Sequence, residues 1–392
     1  MSQDEKLGVW ALAVGQTLGF AALIYIFGAI LLSLEAGSGW GRAELALGPT
    51  LGLLVSAALA PLSGRLVDRG FGGALLAGAA ALGALCLILL SQVNSLALWL
   101  ALWAVIGLAQ AGSLYETCFA FLTRRLGSHA RSAIIRVTLV AGFASTIAFP
   151  LGAYAGHGLG WRGALLTFGL VQLVVTVPAN LVGVAWLRRG ERRGGEGGVA
   201  RKGAIRAALH RPEFWLLAGL FGLILGNHTM LSTFALPVLA DRGAGTGLAV
   251  LVASSVGPMQ VAGRVFLMVG ADRIRAGTAI RAVAMLLVLA SLSLLLAAGH
   301  VGLFFAYAMC QGAAAGVSSI LRPILVAEAL GRENFGAVSG ALAIAPLTAS
   351  AAAPYAGALL IGAGGITLFL WGTFLMGATA VALAFTLRAR GI

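Results

Sequence analysis

Charge is what this sequence has least of. Only 10% of its 392 residues are Asp, Glu, Lys or Arg, while 60% are hydrophobic. A chain so poor in charged side chains cannot cover a water-soluble globule of its size. Cysteine is scarce too. Cys86, Cys118 and Cys310 all lie inside apolar runs, are odd in number and show no paired spacing, which excludes a disulfide framework, a zinc site or a redox motif. No nucleophile with a neighbouring base, no metal-ligating cluster and no phosphate loop can be assembled, so an enzyme is not expected, nor is a cofactor or a metal. Acids are fewer than bases, 13 against 26, giving a net charge of +13. The basic residues sit in short loops between apolar runs rather than on one surface, and nucleic acid is therefore not the expected partner.

What the sequence does have is apolar runs of membrane-spanning length from end to end. A hydrocarbon core about 30 Å thick needs roughly 20 apolar residues as a helix. Such segments fall at 8–34, 43–68, 73–92, 95–123, 132–157, 162–187, 213–239, 246–270, 277–298, 300–328, 335–361 and 365–388. The expectation is an all-α membrane protein of about twelve transmembrane helices. If the N-terminus is cytoplasmic, the cytoplasmic side collects about 20 of the 26 Lys and Arg, and the other side holds only Arg42, Arg162 and Arg242. Both termini are thus expected in the cytoplasm of a bacterial-type inner membrane. The start, MSQDEK, leads into an apolar run too long for a signal peptide, so the first helix is expected to be kept.

The one long polar stretch, Gly-rich and basic, runs over 188–212 and reads as a cytoplasmic linker between an N-terminal half, 1–187, and a C-terminal half, 213–392. Sliding the chain by 204 residues places Asp68-Arg69 on Asp272-Arg273, Gly112 on Gly316, Leu126-Gly127 on Leu330-Gly331, Pro150 on Pro354 and Gly160 on Gly364. One offset serving all of them marks two repeats of six helices, a plan used by transporters.

After the second helix stands Gly64-Arg-Leu-Val-Asp68-Arg69-Gly-Phe-Gly-Gly, which resembles the signature loop of the major facilitator superfamily, with Gly72 and Gly73 in place of its closing basic pair. The helix count, linker and repeat agree with that resemblance, which implies a secondary transporter working by alternating access. Within the superfamily, the stretch from Ala141 to Pro150 followed by Gly160-Trp161-Arg162 is similar to the bacterial monocarboxylate and oxalate porter branch. Arg264 precedes Asp272 by the spacing of that branch's substrate-binding arginine. Gln260 stands where the branch has an aspartate, Tyr25 and Ile26 stand near its first-helix lysine, and the eleventh helix has no lysine.

Three arginines, Arg136, Arg264 and Arg322, remain inside apolar segments. Arg264 lies eight residues before Asp272, about 12 Å along the helix. An arginine at that depth costs roughly 2.5–3.5 kcal/mol unless it meets water, an anion or a partner. It reads as a guanidinium fork for a carboxylate, helped by Gln260 one turn away; the alternative is an interhelical anchor. Arg322, followed by Pro323, is a second anion contact or gate, or else a partner of Glu328. Glu116, with its neighbour Tyr115, is the one acid deep in the apolar region. It is a coupling or gating carboxyl, or else a fixed partner of Arg136. Asn227-His228 interrupts the seventh segment, and the repeat sets His228 opposite Ile24, beside Tyr25; both positions are candidate substrate contacts. With two mid-depth arginines against one acid, the expected substrate is a small organic anion, monocarboxylate-like, moved by a monomer with protons or a counter-anion. The alternative is proton-coupled efflux of drugs or other hydrophobic compounds.

Overall fold

The computed structural model describes residues 1–189, 204–269, 274–331 and 335–389. Among them every regular element is helical and no strand occurs. This is what a bilayer dictates, since each backbone N–H and C=O must be satisfied within its own segment. Among the described residues ten helices are long and apolar enough to cross a membrane. Two of these hold two spans each. The run Ser132–Arg189 is divided at Gly160 (φ 69°, ψ 177°), and Val338–Leu387 at Gly364 and Gly365, the latter with φ 70° and ψ −171°. That backbone region is open only to glycine. Ten helices with two internal divisions give twelve spans, as expected.

The spans are α1 (Gln3–Ser38), α2 (Arg42–Leu66), α3 (Arg69–Leu90), α4 (Leu96–Leu126), α5 and α6 on the two sides of Gly160, α7 (Pro212–Thr233), α8 (Thr246–Val269), α9 (Ala276–Leu295), α10 (Val301–Leu330), and α11 and α12 on the two sides of Gly364–Gly365. The chain divides into two compact units, Met1–Gly197 and Gly198–Ile392. Most of the polar stretch, residues 190–203, lies outside the described residues. Its last part carries a short helix, Ala204–Leu209, which buries Ala208 in the second unit's core.

In the first unit, Val9, Leu12, Phe121, Leu122, Val137 and Val184 share one buried cluster. α1 and α6 approach through small residues: a Cβ on Gly8 would sit 3.0 Å from the Gly183 carbonyl oxygen, and one on Gly15 would sit 2.1 Å from Asn180 Oδ1. The Asn180 amide in turn donates to the Leu76 carbonyl of α3 at 3.2 Å. The loop ends of α1, α2, α4 and α6 are held by four tryptophans. Trp99 lies 6.0 Å from Trp40, 5.9 Å from Trp103 and 6.5 Å from Trp161, and Arg162 covers Trp161 at 4.3 Å. Arg162 also donates to the Ser91 carbonyl and to Asn94 Oδ1, so one guanidinium joins α6 to the α3–α4 turn.

The second unit builds its core from Phe214, Leu217, Phe221, Ile280, Leu287 and Leu325. In it α8 packs closely on α10. A Cβ on Gly316 would lie 2.1 Å from the Gln260 carbonyl oxygen, one on Gly312 2.5 Å from that of Val256, and one on Gly263 2.9 Å from the Ala313 Cα. This is small-residue packing of the kind that draws membrane helices together.

Candidate functional site

The glycine seam decides where the polar side chains of the second unit go. With α8 pressed against α10, Gln260 (7% exposed) and Arg264 (5%) are carried inward, one helical turn apart on one face of α8. On α10, Gln311 is fully buried, and its side-chain amide meets His228 Nδ1 of α7 at 3.2 Å. Arg264 lies within electrostatic range of that imidazole. Three helices thus bring a guanidinium, an imidazole and two amides together inside an apolar bundle. Gln260 Nε2 and Gln311 Oε1 are buried with no hydrogen-bond partner among the described residues. Unmet donors and acceptors are costly inside an apolar bundle, and the same holds for Asn180 Oδ1 and Asn227 Oδ1, which belong to helix-packing contacts. Of the sequence candidates, Arg264, Gln260 and His228 meet here.

Asn227 does not join them. It is fully buried and donates to the Thr373 carbonyl of α12 at 2.8 Å, while Thr373 Oγ1 accepts from Ser291 of α9. Adjacent residues on a helix point to different faces, so one neighbour ties α7 to α12 while the other meets α10. Arg322 sits apart as well, six residues beyond Gly316, about 9 Å further along α10. It is half-buried, and no ion pair joins it to the exposed Glu328. Gln311 escaped sequence reasoning, which followed charges and histidine; its signal was an amide within the apolar run of α10.

In the first unit the main surprise is a break. α4 is not continuous: Leu114 is extended (φ −92°, ψ −165°), and a new helix starts at Tyr115. Glu116 therefore lies in the first turn of a half-helix, where the backbone dipole favours a carboxylate, and its side chain is exposed. The break is held from α1, where Gln16 Nε2 donates to the Ser113 carbonyl at 2.7 Å, and by Thr117 Oγ1, which donates to the Ala111 carbonyl. Tyr115 stacks on Phe119 (4.7 Å) and meets Phe20 in a tilted contact (4.3 Å). No ion pair joins Glu116 to Arg136, the alternative to its coupling or gating role: the Arg136 guanidinium reaches Met1 Sδ at 3.9 Å instead. Tyr25 ends a π-helical turn, Ala21–Tyr25, and its ring faces Phe149 at 6.3 Å. Inside that turn the Leu23 carbonyl, freed from the regular ladder, accepts from Gln110 Nε2 at 2.8 Å.

At the signature loop, Gly70 has φ +97°, which a glycine supplies without strain, and Arg124 donates to the Val67 carbonyl at 2.7 Å, pinning α4 to the turn. Gly64 has open space around it, and Arg69 is exposed. The Asp68 side chain, and Asp272 and Arg273 altogether, lie outside the described residues. Among the described residues no three His, Cys, Asp or Glu side chains gather as metal ligands.

Residues 10–300 match the Major Facilitator Superfamily. A comparison with curated proteins gives no match. Among solved structures, the chain is similar to a bacterial homolog of the human lysosomal transporter Spinster, in an inward-facing and unoccupied conformation. The TM-score is 0.71 at 15% identity, over 98% of this chain and 97% of that one. It is similar to the nucleoside transporter NupG with a TM-score of 0.74 at 11% identity, over 99% of both chains. Identities this low speak to the fold, and the fold agrees with the family match. The chain belongs to the Major Facilitator Superfamily and is a multi-pass membrane transporter.

Proposed function

We propose that this transporter moves a small organic anion, monocarboxylate-like, by alternating access, and that Arg264 holds the carboxylate. The observation that carries the reading is a guanidinium only 5% exposed inside a membrane helix, with Gln260 one turn away on α8 and with His228, the partner of Gln311, within electrostatic range. Two arginines, Arg264 and Arg322, lie within the spans of α8 and α10, and this positive charge suits an anionic substrate. Arginine presents a planar fork that matches a carboxylate at two points. Arg322, half-buried further along α10, is the second cation on the path. Glu116, exposed on its half-helix, is the group proposed to take and release the coupling proton, with Tyr115 beside it; a counter-anion is the other coupling partner considered. The Lys and Arg asymmetry supports cytoplasmic termini, and in this reading the halves 1–187 and 213–392 act as a monomer of two repeats.

Thermal stability of the purified chain with a panel of small carboxylates tests the reading. A ligand at a hundred times its Kd stabilises the native state by about 2.7 kcal/mol. Wild type is expected to respond to at least one carboxylate, and Arg264→Lys to melt as wild type does but not respond, since a point charge replaces the fork. An unchanged response in Arg264→Lys refutes the assignment. The second reading, proton-coupled efflux of hydrophobic compounds, draws on the Phe20, Tyr115 and Phe119 cluster beside Glu116. It predicts stabilisation by lipophilic cations instead of carboxylates.

A further inference from the structure

Away from the polar clusters, the first unit carries a concave feature that the transport reading does not use. α2 and α3 both pack on α4 but leave a gap between themselves, a groove of about 350 Å³. Its walls are Leu59, Leu62 and Leu66 of α2, Leu75 and Leu82 of α3, and Leu108 of α4, and its only polar lining side chain is Ser63. Leu62 and Leu108 are each 44% exposed, so the groove is open rather than a closed core void. Gly78 keeps it wide, for a Cβ there would meet nothing within 4 Å. From Leu59 to Leu66 the groove follows two turns of α2, about 10 Å.

The charge at its end selects an occupant. Arg65 is the last-turn basic residue of α2, next to the lining Leu66, and Arg69 opens α3; both are exposed. Arg65 folds back only as far as a long 3.4 Å contact with the Pro61 carbonyl. The turn that joins the groove's two walls, between the lining residues Leu66 of α2 and Ala74 of α3, carries Arg69, and Arg65 stands one residue before Leu66; an apolar slot closed by this basic turn matches a molecule with one hydrocarbon chain and an adjoining anionic phosphate. A neutral partner helix would fill the slot but leave the arginines unused. We propose that this groove binds one acyl chain of an anionic phospholipid, with its phosphate held by Arg65 and Arg69.

Native mass spectrometry of the purified full chain, exchanged into equal parts of phosphatidylglycerol and phosphatidylcholine with identical chains, tests it. Wild type is expected to retain phosphatidylglycerol several-fold over phosphatidylcholine. Arg65→Gln with Arg69→Gln is expected to lose that preference, and Gly78→Leu, which fills the slot from an open position, to lose retention of both lipids with an unchanged melting temperature. Leu62→Gln, which places an amide in the wall, provides the same loss by a different route should Gly78→Leu fail to fold. Equal retention of the two lipids by wild type, or wild-type retention in a folded Gly78→Leu or Leu62→Gln, overturns the proposal.

Discussion

Replacing Gly316 with alanine adds one methyl group at the point where α8 and α10 touch most closely. That Cβ would lie 2.1 Å from the Gln260 carbonyl oxygen, 2.8 Å from its carbonyl carbon and 2.9 Å from its Cα. All three are backbone atoms, so no rotamer change relieves the clash. Ordinary contact begins near 3.4 Å, and the helices must part locally by roughly the difference, about 1.3 Å. Overpacking of this kind costs about 1–3 kcal/mol, offset by about 0.5–1 kcal/mol because alanine is the better helix former. The net is a loss of stability. The movement also carries Gln260 and Arg264 away from Gln311 and His228, so the carboxylate response is expected to fall more than stability does. A matched control is Gly78→Ala, the same substitution in open space, expected to keep or raise the melting temperature. Both are measured on the detergent-solubilised chain by thermal unfolding with and without carboxylate. A Gly316→Ala protein with wild-type melting and a full carboxylate response would show that the seam does not position the site.

Glu116→Gln is expected to accumulate to normal levels, since no ion pair with Arg136 is lost. Substrate counterflow should persist while pH-driven accumulation disappears; retained pH-driven uptake rejects Glu116 as the proton carrier and leaves His228 as the next group to test. Arg322→Ala is expected to fold at least as abundantly as wild type, because a membrane arginine costing roughly 2.5–3.5 kcal/mol is removed, and to bind carboxylate more weakly. A sharp fall in folded protein would assign Arg322 a structural role instead. Arg162→Ala removes the stack on Trp161 and the bonds to Ser91 and Asn94, so tryptophan emission should change and the melting temperature drop. Unchanged emission at an unchanged melting temperature would count against a tryptophan clamp.

The twelve spans were legible because bilayer thickness imposes one length on every apolar run, and Gly160 and Gly364, paired by the repeat, are the kinks that divide the two longest helices. Arg264 was legible for the same reason in reverse, as a cost that a purely apolar segment would not carry. The break at Leu114 was not. Its residues, Gly112-Ser113-Leu114, differ little from glycine-rich stretches that stay helical, and what stabilises it comes from Gln16, some hundred positions earlier. Gln311 and Gln110 were missed because a single amide in an apolar run carries no period and no charge; its meaning depends on which helix it faces. The tie of Asn227 to Thr373 was hidden for a related reason. Adjacency to His228 in sequence is divergence by about 100° around a helix.

The two repeats agree where packing constrains them and part where chemistry does. Gly112, the counterpart of Gly316, also marks a close approach, with a Cβ there 2.6 Å from the Ala79 Cβ, and the proline pair Pro150 and Pro354 lies inside helices in both halves. The chemical groups have no such twins: 204 residues before Arg264 stands Ala60, before Arg322 Cys118, before Gln311 Gly107, and 204 after Glu116 stands Ile320. A scaffold duplicated in sequence must satisfy the same helix contacts twice, so its glycines persist in both copies. A buried guanidinium is under the opposite pressure, because a second copy without an anion to meet would carry the full cost of roughly 2.5–3.5 kcal/mol again. A small carboxylate has one charged end and needs one fork. The asymmetry of Arg264, His228 and Gln311 within a symmetric frame is what the proposed single-site anion carrier would need, and loss of the carboxylate response in Arg264→Lys is the result that would tie it to that role rather than to anchoring one helix on another.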